Sequence, residues 1–153
     1  MNMKNCDNNL YYAGLLHGRG YIYSLDYHVA WVTKYRKQVL IGQIRDDIIQ
    51  FIKTIAQEQK IEIKAMEVMP DYIHLFISTS PQVRLSDLIK ILKGTSAFWL
   101  FRDHPELKKK LWEGSLWNPS YCVVSASSRS EEQVKWYIEN QQTQKGIVNP
   151  KRK

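Results

Sequence analysis

The chain predicts an α+β fold, a ferredoxin-like β-α-β-β-α-β antiparallel sheet extended by a C-terminal helix, and three observations carry that expectation. Residues 21–33 and 72–77 alternate with period two, as strands with two unlike faces do. Ile44, Ile48, Phe51, Ile52 and Ile55 recur at helical spacing between them. Pro70-Asp71 separates two strand-like runs, a turn pair that suits a hairpin and so an antiparallel pairing.

Taken in order, residues 1–20 read as a mobile lead-in, with an Asn cluster and Gly18-Arg19-Gly20. One domain follows over residues 21–142. It starts with a long strand over residues 21–33, rich in aromatic and β-branched side chains, and a basic connection, Lys34-Tyr35-Arg36-Lys37. A helix over residues 42–59 buries the isoleucine stripe. Strands over residues 61–69 and 72–79 flank the Pro70-Asp71 turn, and Ser80-Pro81 ends the second. Leu85, Leu88, Ile89 and Leu92 mark another helix, with Gly94 expected to interrupt it. A fourth strand spans residues 121–126, and Ser130 is the expected cap of the final helix. Residues 143–153 form a basic tail ending Lys-Arg-Lys. This order of elements is the ferredoxin-like one, in which both crossover helices lie on one sheet face and the other is open to a ligand or an added helix.

Composition narrows the function classes. With 153 residues and 44% hydrophobic content, the chain fits a single domain with a real core. The balance of 22 Lys+Arg against 15 Asp+Glu, a net +7, favours a polyanionic partner. Two cysteines, Cys6 and Cys122, are too few and too distant for a disulfide framework or a zinc site. No apolar run approaches the roughly 20 residues that span a bilayer, so the expectation is a cytoplasmic protein with no membrane role.

Two segments carry chemistry. In Tyr72-Ile73-His74-Leu75-Phe76-Ile77 the isoleucines and leucine face one side, and Tyr72, His74 and Phe76 the other. Near the C-terminus, Tyr137 and Gln141 lie four residues apart on one helical face, while Val134 and Ile138 form the apolar contact line. A tyrosine on an amphipathic helix or a lone strand histidine is by itself more often packing than a site. His28 and His104 lack ligand spacing and read as structural.

Together, Pro70-Asp71-Tyr72-Ile73-His74-Leu75-Phe76 and Tyr137-Ile138-Glu139-Asn140-Gln141 resemble the HUH single-tyrosine transposases of small insertion sequences, whose strand usually reads Asp-His-hydrophobic-His before a distant Tyr-Ile-Glu-x-Gln. The similarity extends through Tyr27-His28-Val29-Ala30-Trp31, Lys34-Tyr35-Arg36-Lys37, Leu92-Lys93-Gly94-Thr95-Ser96 and Leu116-Trp117-Asn118-Pro119-Ser120-Tyr121. Tyr72 holds the position of the first histidine. The resemblance implies Tyr137 as nucleophile, His74 and Gln141 as ligands of Mg2+ or Mn2+, and Tyr72 at a vacant ligand position. It implies a 5'-phosphotyrosine intermediate on single-stranded DNA with hairpins, and a homodimer whose subunits share each active site. Lys34, Arg36, Lys37, Lys90, Lys93, Thr95 and Ser96 are the expected DNA contacts, the last two together with the Gly94 amide. A neutral phenol is a poor metal ligand, and three readings stay open: water fills the vacancy in a weaker magnesium site that manganese suits better, Tyr72 is an engineered or strain-specific change in an otherwise active enzyme, or the chain is a catalytically impaired hairpin-DNA-binding regulator, the alternative function. An RNA-binding sheet displaying Tyr72 and Phe76 ranks last, because the glycine-aromatic signature of such domains is missing.

Overall fold

The computed structural model describes residues 15–111 and 114–141. Its elements are β1 (Leu16–Gly18), β2 (Tyr21–Tyr23), β3 (Leu25–Val32), α1 (Gly42–Glu58), β4 (Glu62–Met69), β5 (Tyr72–Thr79), α2 (Leu85–Asp103), a short α3 (Leu107–Lys110), β6 (Cys122–Ser125) and α4 (Ser130–Glu139). Strands β3 to β6 form an antiparallel sheet in the order β4-β5-β3-β6, the ferredoxin-like order expected.

Period two explains where each strand residue goes. Ile73, Leu75 and Ile77 of β5 and Val29 and Trp31 of β3 face α1 and α2, and all are fully buried in the main core. On the opposite face Ala30 and Val32 meet Val134, Tyr137 and Ile138 of α4 in a smaller cluster. The α1 stripe is as expected: Ile48, Ile52 and Ile55 are fully buried, with Ile44 and Phe51 packed against them.

Four local expectations are corrected. The first strand is not continuous: Ser24 separates β2 from β3, and β2 pairs with β1 in a two-stranded hairpin turned by Arg19 and Gly20, the latter at φ 84. Part of the expected lead-in therefore has a partner; residues 1–14 and the tail beyond 141 lie outside the described residues. Gly94 does not interrupt α2. A helix is held by its buried side, and Leu92, Ser96 and Leu100 keep that side continuous past the glycine. Ser130 begins α4 but does not cap it. Its hydroxyl accepts from the Ser127 amide at 2.7 Å and donates to the Ser125 carbonyl at 2.8 Å, closing the β6–α4 loop.

The basic connection after β3 is strained. Tyr35 and Arg36 both sit in the left-handed region, at φ 58 and φ 56, a conformation that costs non-glycine residues about 1–2 kcal/mol each. Thr33 Oγ1 donates to the Lys37 carbonyl at 2.7 Å and Leu40 N–H to the Pro70 carbonyl at 2.9 Å, tying the connection to the β4–β5 turn.

At the far end of the helical layer, His104 joins the two long helices. Its Nε2 lies 2.6 Å from Asp47 of α1 and its Nδ1 3.2 Å from Glu106. The Asp47 carboxylate holds the imidazole above its ordinary 6.5, and the imidazolium in turn holds Asp47 below 3.8. A raised histidine stabilises fully below its unfolded value and ceases to do so as pH rises through its folded one, and a lowered carboxylate acts in the reverse sense. The pair therefore supports the fold between about pH 4 and pH 6.5. His104→Ala should lower the urea midpoint most in that window, and the deficit should narrow by about pH 9, as paired denaturation curves would show.

Candidate functional site

Helix α4 covers only part of its sheet face, and a cavity of 520 Å³ opens beside it, lined by Arg36, Glu67, Tyr72, His74, Glu131, Val134, Lys135, Ile138 and Glu139. Strand β5 places Tyr72 and His74 here by the same alternation that buries their neighbours. The Glu67↔His74 register of β4 and β5 adds a carboxylate on the same face.

His74 is half-buried, and its Nε2 lies 2.9 Å from His28 Nδ1 on β3. The His28 ring stacks on Phe76 with centroids 4.5 Å apart and planes at 16°. Burial, reinforced by the neighbouring His28, holds the His74 imidazole below 6.5, while Glu67 and Glu131 oppose that shift. The ring is thus neutral near pH 7, with a lone pair to offer. Tyr72 is not in that state. Its hydroxyl donates to Glu67 at 2.5 Å, and burial with that bond pushes the phenol up to about 12.

The nucleophile candidate lies elsewhere. Tyr137 is 9% exposed, donates to Ser120 Oγ at 2.9 Å, and is pushed up to about 12 by burial. It lines a second cavity of 410 Å³ with Cys122, Val124, Arg129, Glu132, Gln133 and Trp136. Helix phase is the reason: at about 100° per residue Glu131, Lys135 and Ile138 cluster on the face turned to His74 with Val134 at its edge, and Tyr137 lies beyond Val134, on the side turned to Ser120 and Cys122. Val134 and Ile138 form the expected apolar line. Gln141 lies just past the helix end, its amide donating to the Tyr137 carbonyl at 3.1 Å. Within one chain, then, Tyr137 and Gln141 are beside each other and neither lines the His74 cavity.

The donors that a divalent cation would meet at the His74 cavity are the His74 and His28 imidazole nitrogens, 2.9 Å apart, and the Glu67, Glu131 and Glu139 carboxylates, which share the wall with the Arg36 and Lys135 cations. Among the described residues no three His, Cys, Asp or Glu side chains form a metal-holding group. A cation here needs further donors from outside one chain's side chains, and water or a phosphate oxygen is the natural supply.

The expected DNA contacts divide into two sets. Arg36 is an internal connector: its guanidinium pairs with the Asp71 carboxylate at 3.0 Å and donates to the Ile138 carbonyl at the end of α4. Asp71, which the sequence offers either as turn chemistry or as a group orienting its neighbours at the strand entrance, is its anchor. Lys37 donates to the Lys110 carbonyl at 2.8 Å, and Lys34 sits 5.5 Å from the Tyr35 ring centroid. On the other side, Lys90 and Lys93 line a 450 Å³ cavity with Ser86, Ile89, Gly94, Pro119 and Tyr121. Lys93 donates to the Asn118 and Ser120 carbonyls at 2.7 and 3.0 Å, and desolvation lowers its ammonium to about 8. Thr95 and Ser96 lie inside α2, with Ser96 fully buried and bonded to the Lys93 carbonyl. Helical bonding occupies the amides of Gly94, Thr95 and Ser96, so they do not form the phosphate cradle the sequence suggested. Sequence reasoning missed the His28–His74 contact, because their meeting depends on strand register across 46 residues.

A family model described as transposase, IS200 like, matches residues 21–141. The chain is 48% identical over 124 residues to the ISDra2 transposase TnpA of Deinococcus radiodurans, covering 81% of this chain and 89% of that one. It is 25% identical over 115 residues to the transposase for insertion sequence element IS200 of Salmonella typhimurium, covering 75% of each. A crystal structure of a candidate transposase from Deinococcus radiodurans R1 superposes at TM-score 0.80 and 46% identity, covering 84% of this chain and 98% of that one. A REP-associated tyrosine transposase bound to a REP hairpin shares the fold at TM-score 0.51 and 16% identity, covering 82% and 68%.

Arg36 generates a prediction of its own. Arg36→Ala leaves Asp71 and the Ile138 carbonyl without their partner and should cost about 1–3 kcal/mol. Hydrogen exchange should show the loss concentrated in the last turn of α4 and the β4–β5 turn, with Arg36→Lys intermediate.

Proposed function

This chain belongs to the IS200-like transposase family, and from that premise we propose that it cleaves and rejoins single-stranded DNA at hairpin-bearing element ends through Tyr137. The observation that carries the reading is the polar sheet face at His74, a neutral imidazole with carboxylates in an open cavity beside the helix that bears Tyr137. A hairpin substrate is supported by the REP hairpin bound to the structural relative.

Tyr137 Oη attacks the scissile phosphorus, forming an O–P bond as the bond from phosphorus to the 3'-oxygen breaks. The products are a 5'-phosphotyrosine and a free 3'-hydroxyl, and strand transfer reverses the exchange without external energy. Its proton, held toward Ser120 in the packed state, must leave for the phenol to act. Mg2+ or Mn2+ held at His74 would offset phosphate charge and would polarise a nonbridging oxygen there. His74 and Gln141 are the proposed ligands. Because Tyr137 and Gln141 do not line their own chain's His74 cavity, we place them at the His74 of a second copy, in a homodimer with shared active sites. Lys34, Lys37 and Lys90 supply cationic surface for the phosphate backbone, while Lys93 is engaged by the Asn118 and Ser120 carbonyls.

One observation favours a second reading, a hairpin-binding regulator with impaired catalysis. Tyr72, which the family resemblance puts where a ligand histidine belongs, is a protonated phenol committed to Glu67.

The two readings separate in one assay. With Mn2+ or Mg2+ and single-stranded oligonucleotides copied from the DNA flanking the gene, the native chain should form a denaturation-resistant adduct that Tyr137→Phe abolishes. Binding without an adduct, with cleavage appearing only in Tyr72→His, establishes the regulator.

A further inference from the structure

The position that lacks a ligand lies on the same sheet face as a histidine on the neighbouring strand. We propose that His28 is the second nitrogen ligand of the cation at His74, in place of residue 72, and that the site consequently selects Mn2+ over Mg2+. The inference rests on the reading of the His74 cavity as a cation site.

Geometry carries it. Two donors about 2.1 Å from a cation and at right angles around it stand about 3.0 Å apart, and His28 Nδ1 and His74 Nε2 are 2.9 Å apart. In the metal-free chain that separation is an N–H···N bond, with one ring donating. To turn both lone pairs to a cation, the donating ring moves its proton to its other nitrogen, a tautomer change that needs no net proton release. His28 is already oriented for this. Phe76 stacks against its ring and fixes its plane, which is tilted 40° from the His74 imidazole.

Tyr72 has the opposite character. Its proton is held by Glu67, so the phenol presents no anionic oxygen. Imidazole donors rank Mn2+ above Mg2+, which prefers an all-oxygen shell and releases water reluctantly. His28 comes from β3 and His74 from β5, adjacent strands of one rigid sheet, so the pair exists in each chain before DNA or a second copy arrives.

Pulsed electron paramagnetic resonance on the full chain with Mn2+ counts coordinated imidazoles directly. The native protein should show two imidazole nitrogen couplings and His28→Ala one, with manganese affinity falling more than about tenfold. Tyr72→Phe should leave the count at two, and Mg2+ should displace manganese only in large excess. A single imidazole in the native protein, a count unchanged in His28→Ala, or no protein-bound manganese would each overturn the proposal. The wild-type count decides without relying on a variant's folding. A tyrosine adduct formed alongside a one-imidazole signal would sink this inference while leaving the proposed function intact.

Discussion

Strand β3 is buried on both faces, with Val29, Ala30, Trp31 and Val32 all fully removed from solvent, and the rest of the molecule takes its place from that requirement. Odd residues need the α1–α2 layer and even residues need α4. The second cover is short. Ten residues of helix extend about 15 Å, whereas an eight-residue strand runs about 27 Å. What α4 leaves uncovered is the stretch of sheet that carries His28, Glu67, His74 and Phe76. The site is the part of the sheet that the hydrophobic cover does not reach.

The same helix is fixed at both ends by polar contacts. Ser130 ties its start to the end of β6, and Arg36 ties its last turn to Asp71 and so to the entrance of β5. Arg36 reaches both partners from a connection in which Tyr35 and Arg36 adopt left-handed backbone. The local strain is offset by a guanidinium joining three segments that are distant in sequence. A residue that sequence reasoning assigns to phosphate is therefore occupied within the chain.

Much of this was legible before any coordinates. The alternation of Tyr72 to Ile77, the α1 isoleucine stripe and the Pro70-Asp71 turn are short-range patterns, and the sheet order follows from them. Three things were not legible, each for a physical reason. Gly94 marks a helix break only where packing does not override propensity, and here the buried side of α2 does. The face that Tyr137 presents depends on a phase of about 100° per residue accumulated from the β6–α4 loop, which spacing to Gln141 alone does not specify. The nearness of His28 to His74 is a diagonal between paired strands, set by the register Ala30↔His74 and His28↔Phe76. Read singly, His28 was an ordinary strand histidine.

In the proposed dimer the chemistry is divided between chains, the imidazole on one and the tyrosine on another. Mixing subunits that carry only His74→Ala with subunits that carry only Tyr137→Phe tests this most directly. Each alone should be inert toward single-stranded element ends. Their mixture should regain cleavage, because a mixed dimer unites an intact His74 with an intact Tyr137 from its neighbour, and the labelled strand should become attached to the His74→Ala subunit alone. Mixed dimers that form but stay inert would contradict the claim and put the nucleophile and the cation site within one chain.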